Sequence, residues 1–180
     1  EVTLKGQIKE TFGIDMDIPK GYGFLNKINN ECIWISNEHG VPFQGLVVYS
    51  YPYSGKDDFL PENLLKRRNE FMSRIPGPSD GSYMITSEHA DPEVRYLRRY
   101  DRSWAEMGGL WAVHGDFMGG PFLNFSTLDA ATNRVIAIDC FVFAPQDTKR
   151  NYLRQLEHIV YSAQFPEVAT PTVETGTANQ

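Results

Sequence analysis

Cysteine is scarce in this sequence, which has two among 180 residues, Cys32 and Cys140. A scaffold held together by several disulfides is therefore excluded. Both cysteines lie inside apolar runs, so we expect buried free thiols, with one internal disulfide as the alternative. The chain also lacks an apolar run long enough to span a bilayer. Its 41% apolar and 22% charged residues are typical of globular chains and exclude disordered, collagen-like and coiled-coil classes.

An excess of positive charge is absent as well. Lys and Arg number 17 against 23 Asp and Glu, a formal net charge of −6. A protein that follows a nucleic-acid backbone needs a positive surface to displace counterions from the phosphates, so we expect no nucleic-acid partner. Phosphate-loop, dinucleotide-binding and HExxH motifs are also missing, so we expect no cofactor and no metal. We expect no serine nucleophile elbow either.

The sequence does contain a succession of short apolar segments with the period of strands, separated by turn residues. It predicts a short helix at 4–11 and a half-buried strand at 12–18, where apolar residues alternate with polar or small ones. A hairpin is predicted at 22–36 around Asn29 and Asn30. Further strands are predicted at 43–53, 82–87, 94–106, 110–114, 122–127 and 134–143.

Two longer segments carry the period of helices, one from Asp57 and Asp58 to Ile75 and one from Asp147 to Pro166. Residues 166–180 keep no hydrophobic period and are predicted to be a disordered tail after a single domain at 1–165. We therefore predict the α+β class, with a single antiparallel β-sheet flanked by helices. The order of elements resembles the PsbP-like αβα sandwich, a likeness that implies the fold alone.

The segment 108–122 is the most unusual in composition, because it combines glycine pairs with aromatic residues. Glycines beside a strand indicate a backbone with positive φ or one close to another backbone, as in binding loops. On this interpretation Trp111, Phe117, Met118, Gly119 and Gly120 are binding residues. The alternative is a tight crossing between strands in which Phe117 and Met118 fill the core.

Three titratable residues are candidates for catalysis. His114 and Asp116 are two residues apart, which on a strand places both side chains on one face, where they could share a metal or act as base and orienting carboxylate. Asp139 interrupts the most apolar strand of the sequence. Either its pKa is raised for general-base work, or it pairs with an arginine of a neighbouring strand or lies at an edge open to water.

Rings and guanidinium groups alternate in the predicted strand 94–106. One face would hold Tyr96, Arg98, Tyr100, Arg102, Trp104 and Glu106. Such a face suits a glycan, a peptide or an anionic ligand, which makes Arg98, Tyr100, Arg102 and Trp104 further binding candidates. The alternative is a solvated sheet face with cross-strand cation–π pairs.

Several short, unusual runs occur in the order and spacing of a known family. They are Tyr51-Pro52-Tyr53, Ile75-Pro76-Gly77, Gly81-Ser82-Tyr83-Met84, the segment 116–122, and 141–145 with Lys149-Arg150. From about Gly6 to Pro166 the chain thus resembles domain-of-unknown-function family 4837. The resemblance implies a lipid-anchored envelope protein of Gram-negative gut bacteria, roughly twice this length, with this chain as its C-terminal half and the N-terminal half missing. It implies no activity, cofactor or partner.

These observations support competing functional hypotheses. The first is a non-catalytic binding or adaptor module at the cell envelope, in which 108–122 and the loop 76–84 shape one rim of a surface for a protein, peptide or glycan. The alternative is a hydrolase or metal-assisted enzyme that uses His114 and Asp116. A third is a scaffold whose missing N-terminal half completes the site. A binding module needs an exposed aromatic patch, whereas an enzyme needs titratable groups that converge in a cleft.

Overall fold

Helices and strands make up most of the described chain, which comprises residues 3–37 and 40–166 of this computed structural model. The helices are α1 (Leu4–Phe12), α2 (Pro61–Met72) and α3 (Lys149–Tyr161), with a 3-10 helix at Lys56–Phe59. The strands are β1 (Tyr22–Asn29), β2 (Cys32–Asn37), β3 (Phe43–Pro52), β4 (Tyr83–Thr86), β5 (Glu93–Arg99), β6 (Arg102–His114), β7 (Gly119–Asp129) and β8 (Arg134–Phe143). No helix in the described ranges has the length and hydrophobicity that a membrane crossing requires. Apart from Pro166, the predicted tail lies outside the described residues.

All of these strands join one antiparallel sheet. Its order is β1-β2-β3-β8-β7-β6, and β4 and β5 lie end to end along the outer edge of β6. The length of β6 allows this, because its first part pairs with β5 and its last four residues pair with β4. The prediction of an α+β fold with a single antiparallel sheet is confirmed.

Helices cover both faces of the sheet. Helices α1 and α3 pack against the face that contains Leu46 and Val48, and α2 packs against the face that contains Val47 and Tyr49. Neighbours in β3 alternate between the two faces because successive side chains of a strand point in opposite directions. Since β3 and β8 are covered on both sides, their sequences are apolar almost without interruption.

The strand predicted at 12–18 is wrong. Helix α1 continues to Phe12 and ends at Gly13, which has a φ of 70°. The segment that follows makes a single strand-like bridge, from Asp15 to Gln164. Ile14 and Met16 are buried there, so the alternating pattern does reflect a buried and an open side. The burial comes from packing beside α1 and α3 and not from pairing within the sheet.

The strand predicted at 94–106 is wrong as well, because this segment forms the hairpin of β5 and β6. Strand β5 ends at Arg99 and β6 begins at Arg102, and the turn residues Tyr100 and Asp101 have φ angles of 49° and 58°. Two left-handed residues give the two-residue turn that matches the twist of paired strands. Such turns usually contain glycine or asparagine, and the absence of both concealed this turn in the sequence. The strand predicted at 110–114 is the continuation of β6.

A buried ion pair joins α2 to the centre of the sheet. Arg68 of α2 and Asp139 of β8 both have fully buried side chains, and Arg68 Nε lies 2.7 Å from Asp139 Oδ2. A second bond runs from Arg68 Nη2 to Asp139 Oδ1 at 3.2 Å. The guanidinium carbon lies 3.5 Å from the centroid of the Phe122 ring. Asp139 therefore pairs with an arginine of a helix, not with one of a neighbouring strand.

Polar neighbours satisfy the remaining atoms of this ion pair. Asn124 donates from Nδ2 to Asp139 Oδ2 at 2.8 Å, and Arg68 donates from Nη1 to Thr86 Oγ1 at 2.8 Å. Asn69 Oδ1 accepts from the Thr86 hydroxyl at 2.7 Å and from the Thr86 backbone N–H at 3.1 Å. A buried ion pair is tolerated when its remaining donors and acceptors are satisfied in this way. The network thereby ties α2 to β4, β7 and β8.

We predict that Arg68→Gln lowers the free energy of unfolding by about 3–5 kcal/mol near pH 7, because it leaves the Asp139 carboxylate buried without a counter-charge. The loss should shrink as the pH falls toward about 4, since burial raises the pKa of Asp139 in the folded state and a protonated carboxyl needs no counter-charge. Urea unfolding at several pH values measures both effects.

The matched control is Arg67→Gln, which removes the neighbouring arginine of the same helix. Arg67 pairs with Glu70 at 3.2 Å on the surface, so its loss should cost less than about 1 kcal/mol. Equal losses in the two variants would show that the buried pair does not hold α2 in place.

Candidate functional site

The turn between β6 and β7 contains the glycine-rich segment singled out in the sequence. Strand β6 ends at His114, Gly115 takes a φ of 85°, and β7 begins at Gly119. A Cβ on Gly120 would overlap the carbonyl oxygen of Val142 and would come within 3.1 Å of Trp111 Nε1. That indole nitrogen donates to the same carbonyl at 3.1 Å. Gly120 thus lets Trp111 reach β8, and Trp111 is buried in the core.

This turn meets the loop between α2 and β4. Ser79 donates from its hydroxyl to Asp116 Oδ2 at 2.6 Å, and the backbone N–H of Phe117 donates to Asp116 Oδ1 at 2.7 Å. The Ser79 bond, and then the Phe117 bond, holds the pKa of Asp116 below its ordinary value. The Asp116 carboxylate therefore links the two loops through hydrogen bonds.

An apolar cavity of about 250 Å³ opens where the two loops meet. We call it the loop pocket, and it is lined among others by Pro76, Gly77, Pro78, Met84, Trp111 and Met118. Met118 packs against the core beneath it. Phe117, in contrast, is fully exposed, so the interpretation that both residues fill the core is wrong for Phe117. The structure thus brings two of the predicted binding residues, Trp111 and Met118, into one pocket, and Phe117 precedes Met118 in the same turn.

His114 and Asp116 have separate partners. The ring of His114 stacks on Tyr83, its cross-strand neighbour, with the centroids 4.9 Å apart. Asp116 follows the left-handed Gly115 and is no longer on the strand, so the two side chains do not share a strand face. Within the described ranges no hydrogen bond or ion pair joins them, and no group of three or more metal-ligating side chains is found there.

One serine-containing run was missed in the sequence. Residues 77–81 read Gly-Pro-Ser-Asp-Gly, which has the spacing of a nucleophile elbow. The elbow requires a strand followed by a helix, whereas this run follows helix α2 and precedes strand β4. Ser79 also bonds directly to a carboxylate and not to an imidazole base. Its hydroxyl fastens a loop instead of being activated for attack.

Asp139 sits in the buried network and not in a cleft. Burial raises its pKa, and the charge and hydrogen bonds of Arg68, together with a hydrogen bond from Asn124, oppose that rise. A general base must come within hydrogen-bond reach of a substrate proton. The carboxylate of Asp139 is fully buried and both of its oxygens accept bonds from protein donors, so its role here is structural.

The two cysteines are free and lie in different layers of the core. Cys32 packs with the α2 face of the sheet and Cys140 with the α3 face, so the sheet itself separates them. Burial raises the pKa of Cys32 to about 11 and that of Cys140 well above its ordinary value. Since the thiolate is the reactive form, neither thiol is prepared to act as a nucleophile.

We predict that neither cysteine reacts quickly with DTNB in the native protein near pH 8, because both thiols are buried and protonated. The absorbance of the released thiolate should reach two equivalents only after the chain is unfolded in urea. Rapid release from the folded protein would show that the thiols are accessible and would contradict their burial. A requirement for prior reduction would contradict the free-thiol assignment.

The ring and guanidinium residues of 96–106 do not share one face. In the hairpin, Leu97 pairs with Trp104 and Arg99 with Arg102, and these four side chains line a cavity beside α3 of about 240 Å³. Tyr96 and Arg98 alternate with them and lie on the other face, where the Tyr96 hydroxyl donates to the Phe59 carbonyl at 2.7 Å. Of the predicted binding residues, Tyr100, Arg102 and Trp104 line the cavity and Arg98 does not.

We predict that Trp104→Ala lowers the free energy of unfolding by about 3–5 kcal/mol, because Trp104 is a buried member of the α3-side core. Arg98→Ala, at an exposed position of the same hairpin, should change it by less than about 0.5 kcal/mol. Urea unfolding compares the two directly. A small effect of Trp104→Ala would show that the hairpin does not contribute to the core.

A family model of known proteins matches the chain. The family model described as Domain of unknown function (DUF4837) matches residues 1–162. No curated protein matches the chain.

Proposed function

The chain belongs to the DUF4837 family, and we propose that it is a non-catalytic binding module that takes an apolar side chain of a protein or peptide partner into the loop pocket. The observation that carries the proposal is the fully exposed ring of Phe117, whose next residue in the chain, Met118, lines an apolar cavity. Exposed aromatic groups next to an apolar pocket are typical of interface centres, where a few anchor residues supply most of the binding energy.

The loop that presents Phe117 is held in position. Asp116 accepts from the backbone N–H of Phe117 at 2.7 Å and from the Ser79 hydroxyl at 2.6 Å, and Val113 donates from its backbone to the Met118 carbonyl at 2.9 Å. Phe117 thus projects from a fastened turn. Preorganisation of this kind lowers the entropy that a partner's binding has to offset.

The size and lining of the loop pocket favour a single apolar anchor as occupant. Its volume of about 250 Å³ holds one large side chain and is below the range of roughly 300–1,000 Å³ typical of sites for drug-sized ligands. The lining residues are apolar or glycine, which suits a leucine or phenylalanine better than a glycan. Met84 and Met118 contribute flexible side chains that adapt to different apolar shapes.

The candidate catalytic groups have structural partners, and this supports binding over hydrolysis. His114 stacks on Tyr83, Asp116 fastens two loops, and Asp139 neutralises Arg68. None of these three contacts another of the three within the described ranges. We further propose that the module acts at the cell envelope as part of a lipid-anchored protein, a location that rests on the family resemblance.

We predict that a library of random peptides displayed on phage yields binders that share an aromatic or branched aliphatic residue. Phe117→Ala should weaken the binding of the selected peptides about tenfold or more. It should change the free energy of unfolding by less than about 0.5 kcal/mol, because the ring is fully exposed. Fluorescence anisotropy with labelled peptides measures the affinities.

Leu110→Ala is the matched control, since it removes another exposed apolar side chain, from strand β6 that precedes the turn. Leu110 precedes the buried Trp111 and so points to the opposite face of the sheet, and its loss should leave peptide affinity unchanged. Equal weakening in both variants, or a library that yields no binder, would overturn the proposal.

A further inference from the structure

Two arginines face each other across the turn of the β5–β6 hairpin. Arg99 and Arg102 are cross-strand partners, separated by the left-handed residues Tyr100 and Asp101. Like charges directly opposite one another destabilise a strand pair. The stability of the hairpin therefore does not explain why two arginines lie opposite each other at this position.

Aromatic rings hold both guanidinium groups in place. The guanidinium carbon of Arg99 lies 3.6 Å from the centroid of the Tyr161 ring, and that of Arg102 lies 3.8 Å from the centroid of the Phe165 ring. Arg102 also donates from Nη1 to the Leu128 carbonyl at 2.6 Å. Both groups are thus oriented before any ligand arrives.

The carboxylates that the structure describes near the two arginines have other partners. Glu106 pairs with Arg95 at 2.9 Å, and Glu157 accepts from the Tyr161 hydroxyl at 2.8 Å. Among residues 3–37 and 40–166, no carboxylate lies within ion-pair distance of Arg99 or Arg102. The C-terminal end of α3 offers roughly half a negative charge, which is far less than the two positive charges beside it.

The surrounding groups also compensate the positive charges of Arg99 and Arg102 only in part. Burial lowers the pKa of Arg102, and the charge of Asp129 offsets this effect only in part. The Nε of Arg99 is buried and has no hydrogen-bond partner in the part of the chain that the structure describes. A buried donor without an acceptor is uncommon and often marks a functional site.

The cavity between these groups is lined by aromatic rings as well as by the two arginines. We call it the hairpin pocket, and its volume is about 240 Å³. Besides the two arginines, Tyr100, Trp104, Tyr161 and Phe165 line it. Two guanidinium groups and several flat aromatic rings therefore surround a space that fits a fragment-sized molecule.

We propose that the hairpin pocket binds a small organic anion, a carboxylate or phosphate group carried on an aromatic or other flat apolar body. Guanidinium groups recognise both oxyanions through paired N–H donors, and the rings bury the apolar body. This site lies on the α3 side of the sheet, whereas the loop pocket lies on the α2 side. The two proposals can therefore fail independently.

The test compares phenylacetate, phenyl phosphate and the neutral phenylacetamide on the isotopically labelled wild-type chain, followed by NMR. We expect at least one anion to bind with a millimolar dissociation constant, to shift signals of residues 97–104 and 160–165, and to weaken as sodium chloride is added. The head group that binds more tightly identifies the ligand as a carboxylate or a phosphate. Equal affinity for the neutral amide, or shifts confined to other regions, would overturn the proposal.

Variants of the hairpin give a second test. Arg99→Gln should weaken anion binding about tenfold, equivalent to about 1.4 kcal/mol. The matched control, Arg98→Gln, removes the same charge from the neighbouring residue, whose side chain is exposed on the other face, and should leave the affinity within about twofold. Equal weakening by both variants would show a general charge effect and not a site. The wild-type comparison of anion with amide decides the question if Arg99→Gln does not fold.

Discussion

The buried ion pair of Arg68 and Asp139 is the interaction on which the arrangement of this molecule depends. It places two full charges at the interface between α2 and the sheet, where neither has contact with water. Each charge is tolerable only in the presence of the other. Helix α2 therefore has one position on the sheet, set by the two bonds from Arg68 to the Asp139 carboxylate.

The same network positions the loop pocket. Asn69, next to Arg68 in α2, accepts from both the backbone and the hydroxyl of Thr86 at the end of β4. The chain between α2 and β4 is thus anchored at both of its ends. Its backbone is fixed further where Met84 donates to the Ile75 carbonyl at 3.1 Å and Gly77 donates to the Ser82 carbonyl at 2.9 Å. The buried ion pair of Arg68 and Asp139, although remote from solvent, therefore helps to hold the rim of the loop pocket in one position.

The sequence predicts the layers of this fold better than its connections. Apolar runs between turn residues located most of the strands, and helical spacing located α2 and α3, because burial sets those patterns. Asp139 stood out as a carboxylate in an apolar strand, yet its partner was missed. Arg68 lies four residues after Leu64 and three before Phe71, which places it on the buried stripe of α2. An arginine within an apolar stripe was the available signal.

At the candidate sites, too, local sequence patterns failed where tertiary structure decides the conformation. The rule that residues two apart share a strand face failed for His114 and Asp116, because the strand ends at His114 and a turn begins at Gly115. The turn at Tyr100 and Asp101 was concealed because neither residue is the usual choice for a left-handed turn. Its position depends instead on contacts distant in sequence, such as the stacking of Arg99 on Tyr161.

Function is best sought where the fold leaves a group unsatisfied. The polar groups that resembled a catalytic site have partners within the protein, and those partners explain their positions. Among residues 3–37 and 40–166, no apolar neighbour covers the ring of Phe117, and no acid pairs with Arg99 or Arg102. Selection for stability alone removes such features, because an exposed ring and two opposed cations each raise the free energy of the folded state. Their presence on opposite sides of one sheet is the expected outcome if the domain carries two separate binding sites on a scaffold fixed from within.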